Sequence, residues 1–209
     1  MVQSMTDGGR FISFEGIDRS GKSTQAALLA ESLGDRALLV REPGGTELSE
    51  RVRALLKDPA LPIAPRAEAL LFAAARADLA ESVIRPALDS GKIVIADRFI
   101  DSSLAYQGAA RGLGIEEVRR LSEWGTVGLL PQLTLLIEID PERAATRGAE
   151  DGDRFEDEGI ALQRAVASAY HQLADADERR YRRIDGDRAP EEVAACVRET
   201  VETVLGVAV

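Results

Sequence analysis

Residues 16–23 read Gly-Ile-Asp-Arg-Ser-Gly-Lys-Ser, which is the spacing G-x-x-x-x-G-K-[ST]. This pattern restricts the fold more than any other feature, because it serves a loop whose backbone curls until several N–H groups converge on one anion. The glycines allow the curl, the lysine reaches the β- and γ-phosphate oxygens of a nucleotide, and the final hydroxyl meets Mg²⁺. Such a loop works between a strand and a helix. Residues 10–15, Arg-Phe-Ile-Ser-Phe-Glu, read as the strand, and residues 24–33 have helical spacing that stops at Gly34, a C-cap. A plain glycine turn would leave the Gly-Lys-Ser-Thr run at 21–24 without a reason.

The rest of the chain continues the alternation of short apolar runs with helical stretches. Strands are expected at 11–15, 37–41, 93–97, 133–139 and 181–184, each apolar enough to be covered on both faces. Helices are expected at 23–33, 46–57, 65–90, 115–124, 141–146, 160–179 and 190–205, with a kink or break near the end of the third at Pro86. The alternation predicts an α/β fold, a parallel sheet with helices on both faces. Its 209 residues suit one domain over 10–209, preceded by a flexible tail at 1–9. Two segments interrupt the pattern. Residues 41–46, Arg-Glu-Pro-Gly-Gly-Thr, follow the second strand as a ligand-facing loop, and the charged, glycine-rich residues 148–159 are either a solvated loop or a lid.

Composition excludes several functions. A formal net charge of −10 argues against a nucleic-acid polymer as partner, though a small nucleotide needs only a local cluster of cations. One histidine and one cysteine cannot assemble a zinc-ligand set. His171 lies in a helical stretch, where a structural role is the plainer reading. No run approaches a membrane span, the first residues lack a signal peptide's apolar core, and the single Cys196 suits a reducing compartment, so the cytoplasm is expected.

Chemistry concentrates at four places. The third strand ends at Asp97, and an acid at that tip, beside a phosphate loop, is where such folds hold Mg²⁺. Arg98 follows it, where ATPases often use a glutamate to activate water. An arginine there points at a second phosphate group, hence at transfer to a phosphorylated acceptor; the alternative is a structural ion pair. Asp18 and Arg19 are not needed for the backbone cradle. Arg19 would neutralise charge developing beside the β/γ phosphates, or else be a solvated loop side chain. Phe72 and Arg76, four apart, share one helix face; they are either core packing or a base-binding pair. Tyr106 and Gln107 stand one or two helical turns beyond Arg98. Trp124 reads as core or subunit interface.

Taken together, residues 16–23, the loop at 41–46, residues 70–76 (Leu-Leu-Phe-Ala-Ala-Ala-Arg) and 97–107 (Asp-Arg-Phe-Ile-Asp-Ser-Ser-Leu-Ala-Tyr-Gln) closely resemble the thymidylate kinases. The resemblance runs in order from about residue 10 to residues 184–193. It implies a five-stranded P-loop NTPase-like sheet with a short lid at 148–159, a homodimer, and Mg²⁺-dependent phosphoryl transfer from ATP to dTMP. It assigns Gly16, Ile17, Asp18, Arg19, Ser20, Gly21, Lys22, Ser23 and Thr24 to ATP, with Ser23 and Asp97 at the metal. Arg98 would clamp the dTMP phosphate. Phe72 would stack on thymine, Arg76 would bond its exocyclic oxygen, and Pro43 would form the wall. Tyr106 would lie where a ribose 2′-hydroxyl projects, Asp18 would hold the 3′-hydroxyl, and Ser102, Ser103 and Gln107 would line the same pocket. Arg19, Lys22 and Arg98 would be the catalytic cations. In this family the charge-stabilising arginine comes from the phosphate loop or from a basic lid; here 148–159 carries six acids and one base, Arg154, which points to Arg19. Two departures mark this chain. Ser103 stands where relatives often carry a longer amide, and residues 162–170 lack the aromatic pair often seen after the lid.

Overall fold

The computed structural model describes residues 8–147 and 159–209. The expected tail is therefore outside the described residues except for Gly8 and Gly9, and the expected lid, with Arg154, except for Gly159.

Five strands form one sheet: β1 (Arg10–Glu15), β2 (Ala37–Arg41), β3 (Ile93–Asp97), β4 (Leu133–Glu138) and β5 (Tyr181–Asp185). Their order is β2-β3-β1-β4-β5 and every pairing is parallel. Parallel neighbours need crossovers, which the helices supply: α1 (Lys22–Leu33), α2 (Glu47–Lys57), α3 (Pro65–Leu79), α4 (Arg85–Asp89), α5 (Ile100–Ser103), α6 (Ile115–Thr126), α7 (Pro141–Thr146), α8 (Gly159–Ala176) and α9 (Pro190–Leu205). Side chains alternate faces along a strand, so β1 feeds two cores. Phe11 packs with Val94, Ala96, Phe99, Leu104 and Tyr170 on one face. Ile12 and Phe14 pack with Leu135 of β4 and with Ala26, Leu29, Val197 and Val201 from α1 and α9 on the other. Each fully buried Leu, Ile or Phe contributes about 1.5–3 kcal/mol, and both layers are needed to hide so apolar a sheet.

The register brings the site together. Phe14 and Arg41 both pair with Asp97, and Glu15 pairs with Leu136, so the carboxyl ends of β1, β2, β3 and β4 open on one edge. A ligand crevice in an open α/β sheet forms at such an edge.

Two stretches differ from expectation. Pro86 does not break its helix; a π-helical turn at Ala80–Ile84 joins α3 to α4 just before it. Proline offers no N–H to the ladder, and a widened turn is one way a helix absorbs that loss. After β3, α5 continues into a π-helical segment, Leu104–Ala110, which the spacing does not predict as an element. No capping side chain marks its start, and the chain enters it from Arg98 at φ 71. Trp124 is not core: it is 83% exposed on α6.

Candidate active site

The phosphate loop takes its shape from two glycines. Gly16 has φ 144, and a Cβ there would lie 2.5 Å from the Ile137 carbonyl oxygen of β4; Gly21, at φ 95, turns the chain into α1. The first turn of α1 then presents unpaired N–H groups to an anion. Lys22 is buried, donates to the Ile17 carbonyl at 3.3 Å and lies 3.9 Å from Asp18. Burial and the positive Arg98 pull its ammonium down to about 8, against the pull of Asp18, Asp97 and Glu15. An anion arriving there favours the charged form.

Arg98 is the hub beside the loop. Its Nη1 donates to the Gly16 carbonyl at 3.1 Å, to Ser102 Oγ at 3.0 Å and to the Tyr170 hydroxyl at 3.3 Å. Its Nη2 pairs with Asp18 Oδ1 and donates to the Tyr106 hydroxyl at 3.3 Å. The ion-pair reading of Arg98 is thus realised, with Asp18 as partner. Asp18 also accepts from Tyr106 at 3.0 Å and from Gln163 Nε2 at 2.9 Å. Although burial pushes the Asp18 carboxyl up, Arg98 and Lys22 hold it well below the usual carboxylate range. Glu15, fully buried at the end of β1, accepts from the Phe99 N–H at 2.8 Å, Ser102 at 2.6 Å and Tyr170 at 2.9 Å. Burial and nearby Asp101 nonetheless lift Glu15 to about 7.

A third cluster lies deeper. Arg76 is 1% exposed; its Nε donates to Glu42 Oε2 at 2.8 Å, Nη1 to Ser122 at 3.0 Å and Nη2 to Ser103 at 2.7 Å. Burial pushes the Glu42 carboxyl up to about 7 despite the neighbouring guanidinium. Gln107, also buried, donates to Glu68 at 2.9 Å. Phe72 packs half-buried against Val52, Leu56 and Ala75, and it also lines the cavity described next.

Two cavities meet at the loop. The first, of about 480 Å³, is lined by Asp18, Arg19, Lys22, Ser23, Pro43, Phe72, Arg76, Asp97, Arg98, Ser102, Ser103, Tyr106 and Gln107, together with Arg41, Glu42, Arg53, Leu56 and Lys57. The second, of about 550 Å³, is lined by Arg19, Ser20, Gly21, Lys22, Ser23, Thr24 and Gln25, with Arg147, Gly186, Arg188, Pro190 and Val193. Arg19, Lys22 and Ser23 belong to both. Of the residues expected at the site, Gly16 and Ile17 shape the loop from beneath and line neither.

Sequence reasoning missed Glu15, Gln163, Tyr170, Arg147 and Arg188. Arg147, one residue before the expected lid, donates to the Ser20 carbonyl at 3.3 Å and to Gly186 at 2.8 Å, so a second guanidinium stands at the loop besides Arg19. Counting charges inside 148–159 passed over it. Glu42 lies within the 41–46 loop already singled out, and that position was the available signal.

A phosphate loop after β1, a parallel sheet of this order, and a second arginine-lined cavity on the far side of the loop define a P-loop nucleotide kinase. The profile described as "Thymidylate kinase" matches residues 14–197. A thymidylate kinase of Symbiobacterium thermophilum is 46% identical over 200 residues, 93% of this chain and 94% of the relative. One of Clavibacter michiganensis is 45% identical over 205 residues, 94% and 96% respectively. The crystal structure of thymidylate kinase from Ehrlichia chaffeensis superposes with a TM-score of 0.77 at 33% identity, covering 93% of this chain and 99% of that one. The chain belongs to the thymidylate kinase family.

Proposed function

We propose that the two cavities hold ATP and dTMP with their phosphates meeting at Arg19, Lys22 and Ser23, the residues common to both linings. That shared lining is the observation that carries the reading. The chain is a kinase that transfers the γ-phosphoryl group of ATP to dTMP, giving ADP and dTDP, a step toward dTTP. A dTMP phosphate oxygen attacks the γ-phosphorus while the bond to the ADP oxygen breaks. Because the acceptor is already an anion, no general base is needed, and positioning plus cations carries the reaction.

In this reading Lys22 and the loop amides, with Thr24 at the helix start, hold the ATP phosphates. Arg19 meets the charge that builds on the transferring group. Arg98, oriented by Asp18, holds the dTMP phosphate, and Asp18 accepts from the 3′-hydroxyl at a remaining lone pair of Oδ1. Phe72 stacks on the base against Pro43, and Arg76 reads its carbonyl, with Ser102, Ser103 and Gln107 along the edge. Tyr106 fills the space a 2′-hydroxyl would take. The kinase domain spans 10–209 with 148–159 as its lid.

The site suits Mg²⁺. Asp97 Oδ1 is buried without a hydrogen-bond partner among the described residues, and the Ser23 hydroxyl lines the same cavity. One carboxylate, a hydroxyl and substrate phosphates match the hard oxygen ligands that Mg²⁺ takes. When bound, the ion would neutralise charge on the β,γ-oxygens. The chain acts as a homodimer: Trp124, Val127 and Leu70 on or beside α6 and α3 are 83%, 76% and 57% exposed, large apolar surfaces for a lone copy to leave in water. A monomer of 22.5 kDa in sedimentation would contradict this. Among the described residues no helix is long and apolar enough to cross a membrane, and a single half-buried free cysteine suits the reducing cytoplasm.

Initial rates with dTMP, dUMP, UMP, CMP and thymidine, with and without MgCl₂, test the reading. The expected order places dTMP first and requires the metal. A preference for another pyrimidine nucleoside monophosphate overturns the base assignment, and metal-independent turnover overturns the assignment of Asp97.

A further inference from the structure

Glu15 has no role in the reaction as set out above, yet it is a wholly buried acid immediately before the phosphate loop. Its Oε2 accepts from two hydroxyls, Ser102 at 2.6 Å and Tyr170 at 2.9 Å, which are themselves 2.9 Å apart. Both oxygens also lie against one nitrogen of Arg98, Nη1, at 3.0 and 3.3 Å. A hydroxyl has a single proton and a guanidinium has donors only. When the two protons point to Glu15, the lone pairs of both oxygens face Arg98. A proton that turns away goes either to the other hydroxyl, 2.9 Å off, or to a guanidinium N–H, and in the second case a favourable contact becomes a repulsive one. Glu15 Oε1 meanwhile fixes the N–H of Phe99, the residue after Arg98, whose own backbone sits in the left-handed region at φ 71.

We propose that Glu15 is a positioning residue for phosphoryl transfer: by fixing the hydroxyl protons of Ser102 and Tyr170 it makes both oxygens acceptors that hold the Arg98 guanidinium toward the acceptor phosphate. This rests on the reading of Arg98 as the cation at that phosphate. Arg98 is then held from two sides. Asp18 and Tyr106 take Nη2, while the Gly16 carbonyl and the two Glu15-oriented hydroxyls take Nη1. Tyr170 isolates the effect, because it is 1% exposed, lines neither cavity and bonds Arg98 through its hydroxyl.

Glu15→Gln retains the shape and the oxygen that serves Phe99 but replaces Oε2 with a group that only donates. Misplacing a substrate-positioning group by about 1 Å costs up to about 100-fold, so kcat/KM for dTMP should fall about 10- to 100-fold. KM for ATP should stay within about twofold, since the loop is untouched. Tyr170→Phe should lower kcat/KM for dTMP about threefold to tenfold, and the double variant should be no worse than Glu15→Gln by more than about twofold, because both changes break one relay. Losses that multiply, or an equal rise in KM for ATP, mean that Glu15 merely supports the fold and overturn the proposal. If Glu15→Gln fails to fold, Tyr170→Phe decides alone: unchanged kcat/KM for dTMP overturns it. Arg98→Ala, measured alongside, separates the two readings. Normal turnover there removes Arg98 from the acceptor site whatever Glu15 does, whereas impaired Arg98→Ala with unimpaired Glu15→Gln removes only the positioning role.

Discussion

On one side of the phosphate loop the second cavity is lined by loop residues and by two arginines whose carboxylate partners are exposed: Arg147, bonded to backbone carbonyls and 3.8 Å from Asp187, and Arg188, 58% exposed and 3.2 Å from Asp185. On the other side the first cavity is lined by arginines already paired with carboxylates, Arg98 with Asp18 and Arg76 with Glu42, and these pairs are mostly or wholly buried. In the proposed reading the first arrangement would grip phosphates through backbone geometry, which tolerates change in side chains. The second pays a desolvation cost that its ion pairs offset only in part, so it contributes little to stability and much to fixed geometry. A donor site of the first kind suits a phosphate chain common to all ATP users. An acceptor site of the second kind suits discrimination, because a guanidinium held at three or more points cannot shift to accommodate the wrong partner. Arg19, Lys22 and Ser23 are where the two constructions meet.

The largest expected effect falls on that junction. Arg19→Ala should lower kcat by about 10³-fold or more while KM for ATP changes little, the signature of a contact made in the transition state. Steady-state kinetics with both substrates varied checks this. A raised KM for ATP with normal kcat would move Arg19 wholly to the donor side, and a loss below about tenfold would pass its role to Arg147 across the loop.

The two sides also differ in how legibly the sequence announces them. The phosphate-loop motif is contiguous and its spacing follows from backbone geometry, so residues 16–23 announce it directly. The five strands were legible within a residue or so at each end, because each is an apolar run bounded by turn residues. The acceptor side is assembled from residues far apart in the chain: Tyr170 reaches Glu15 across 155 positions, and Gln163 reaches Asp18 across 145. Periodicity reports which face of an element is apolar, not which distant element lies against it. Phe72 and Arg76 are legible as a pair because they are one turn apart on one helix. Glu15, which ends a strand as any charged residue might, gave no local sign. The π-helical segment at Leu104–Ala110 was hidden for a related reason, since its wider turn departs from the 3.6-residue period. In sequence Trp124 reads as core or interface, and only the packing of α6, which leaves it 83% exposed, excludes the former.

A middle-sized effect probes the acceptor wall. Phe72→Ala should weaken dTMP binding by about 1–3 kcal/mol, the range for stacking a base on an aromatic ring. Calorimetric titration of dTMP and of an ATP analogue checks it, and ATP affinity should not move. Equal loss for both ligands would mean that Phe72 supports the small apolar cluster of Val52, Leu56 and Ala75 rather than the base.

The smallest effect concerns the buried pair behind that wall. Glu42 has its ordinary value of 4.5 in the unfolded chain and about 7 in the fold, where burial outweighs Arg76. Between those two values the folded protein binds more protons than the unfolded chain, so Glu42 makes stability fall as pH rises, with the loss complete above about 7. Glu42→Gln removes this slope. From pH 5 to pH 7.5 the Tm of the unaltered protein should drop relative to that of Glu42→Gln by several degrees, since that window covers most of the interval from 4.5 to 7, at about 1.4 kcal/mol per pH unit and about 2–4 °C per kcal/mol in a chain of this size. Glu15, also lifted to about 7, slopes the same way but is common to both proteins and cancels in the difference. Asp18, held well below the usual carboxylate range, acts in the opposite sense at lower pH, and the window above pH 5 leaves it ionised in both states. Parallel Tm curves across the window would mean that Arg76 keeps Glu42 ionised throughout. The acceptor side would then hold full ion pairs, and its rigidity would rest on charge rather than on shared protons.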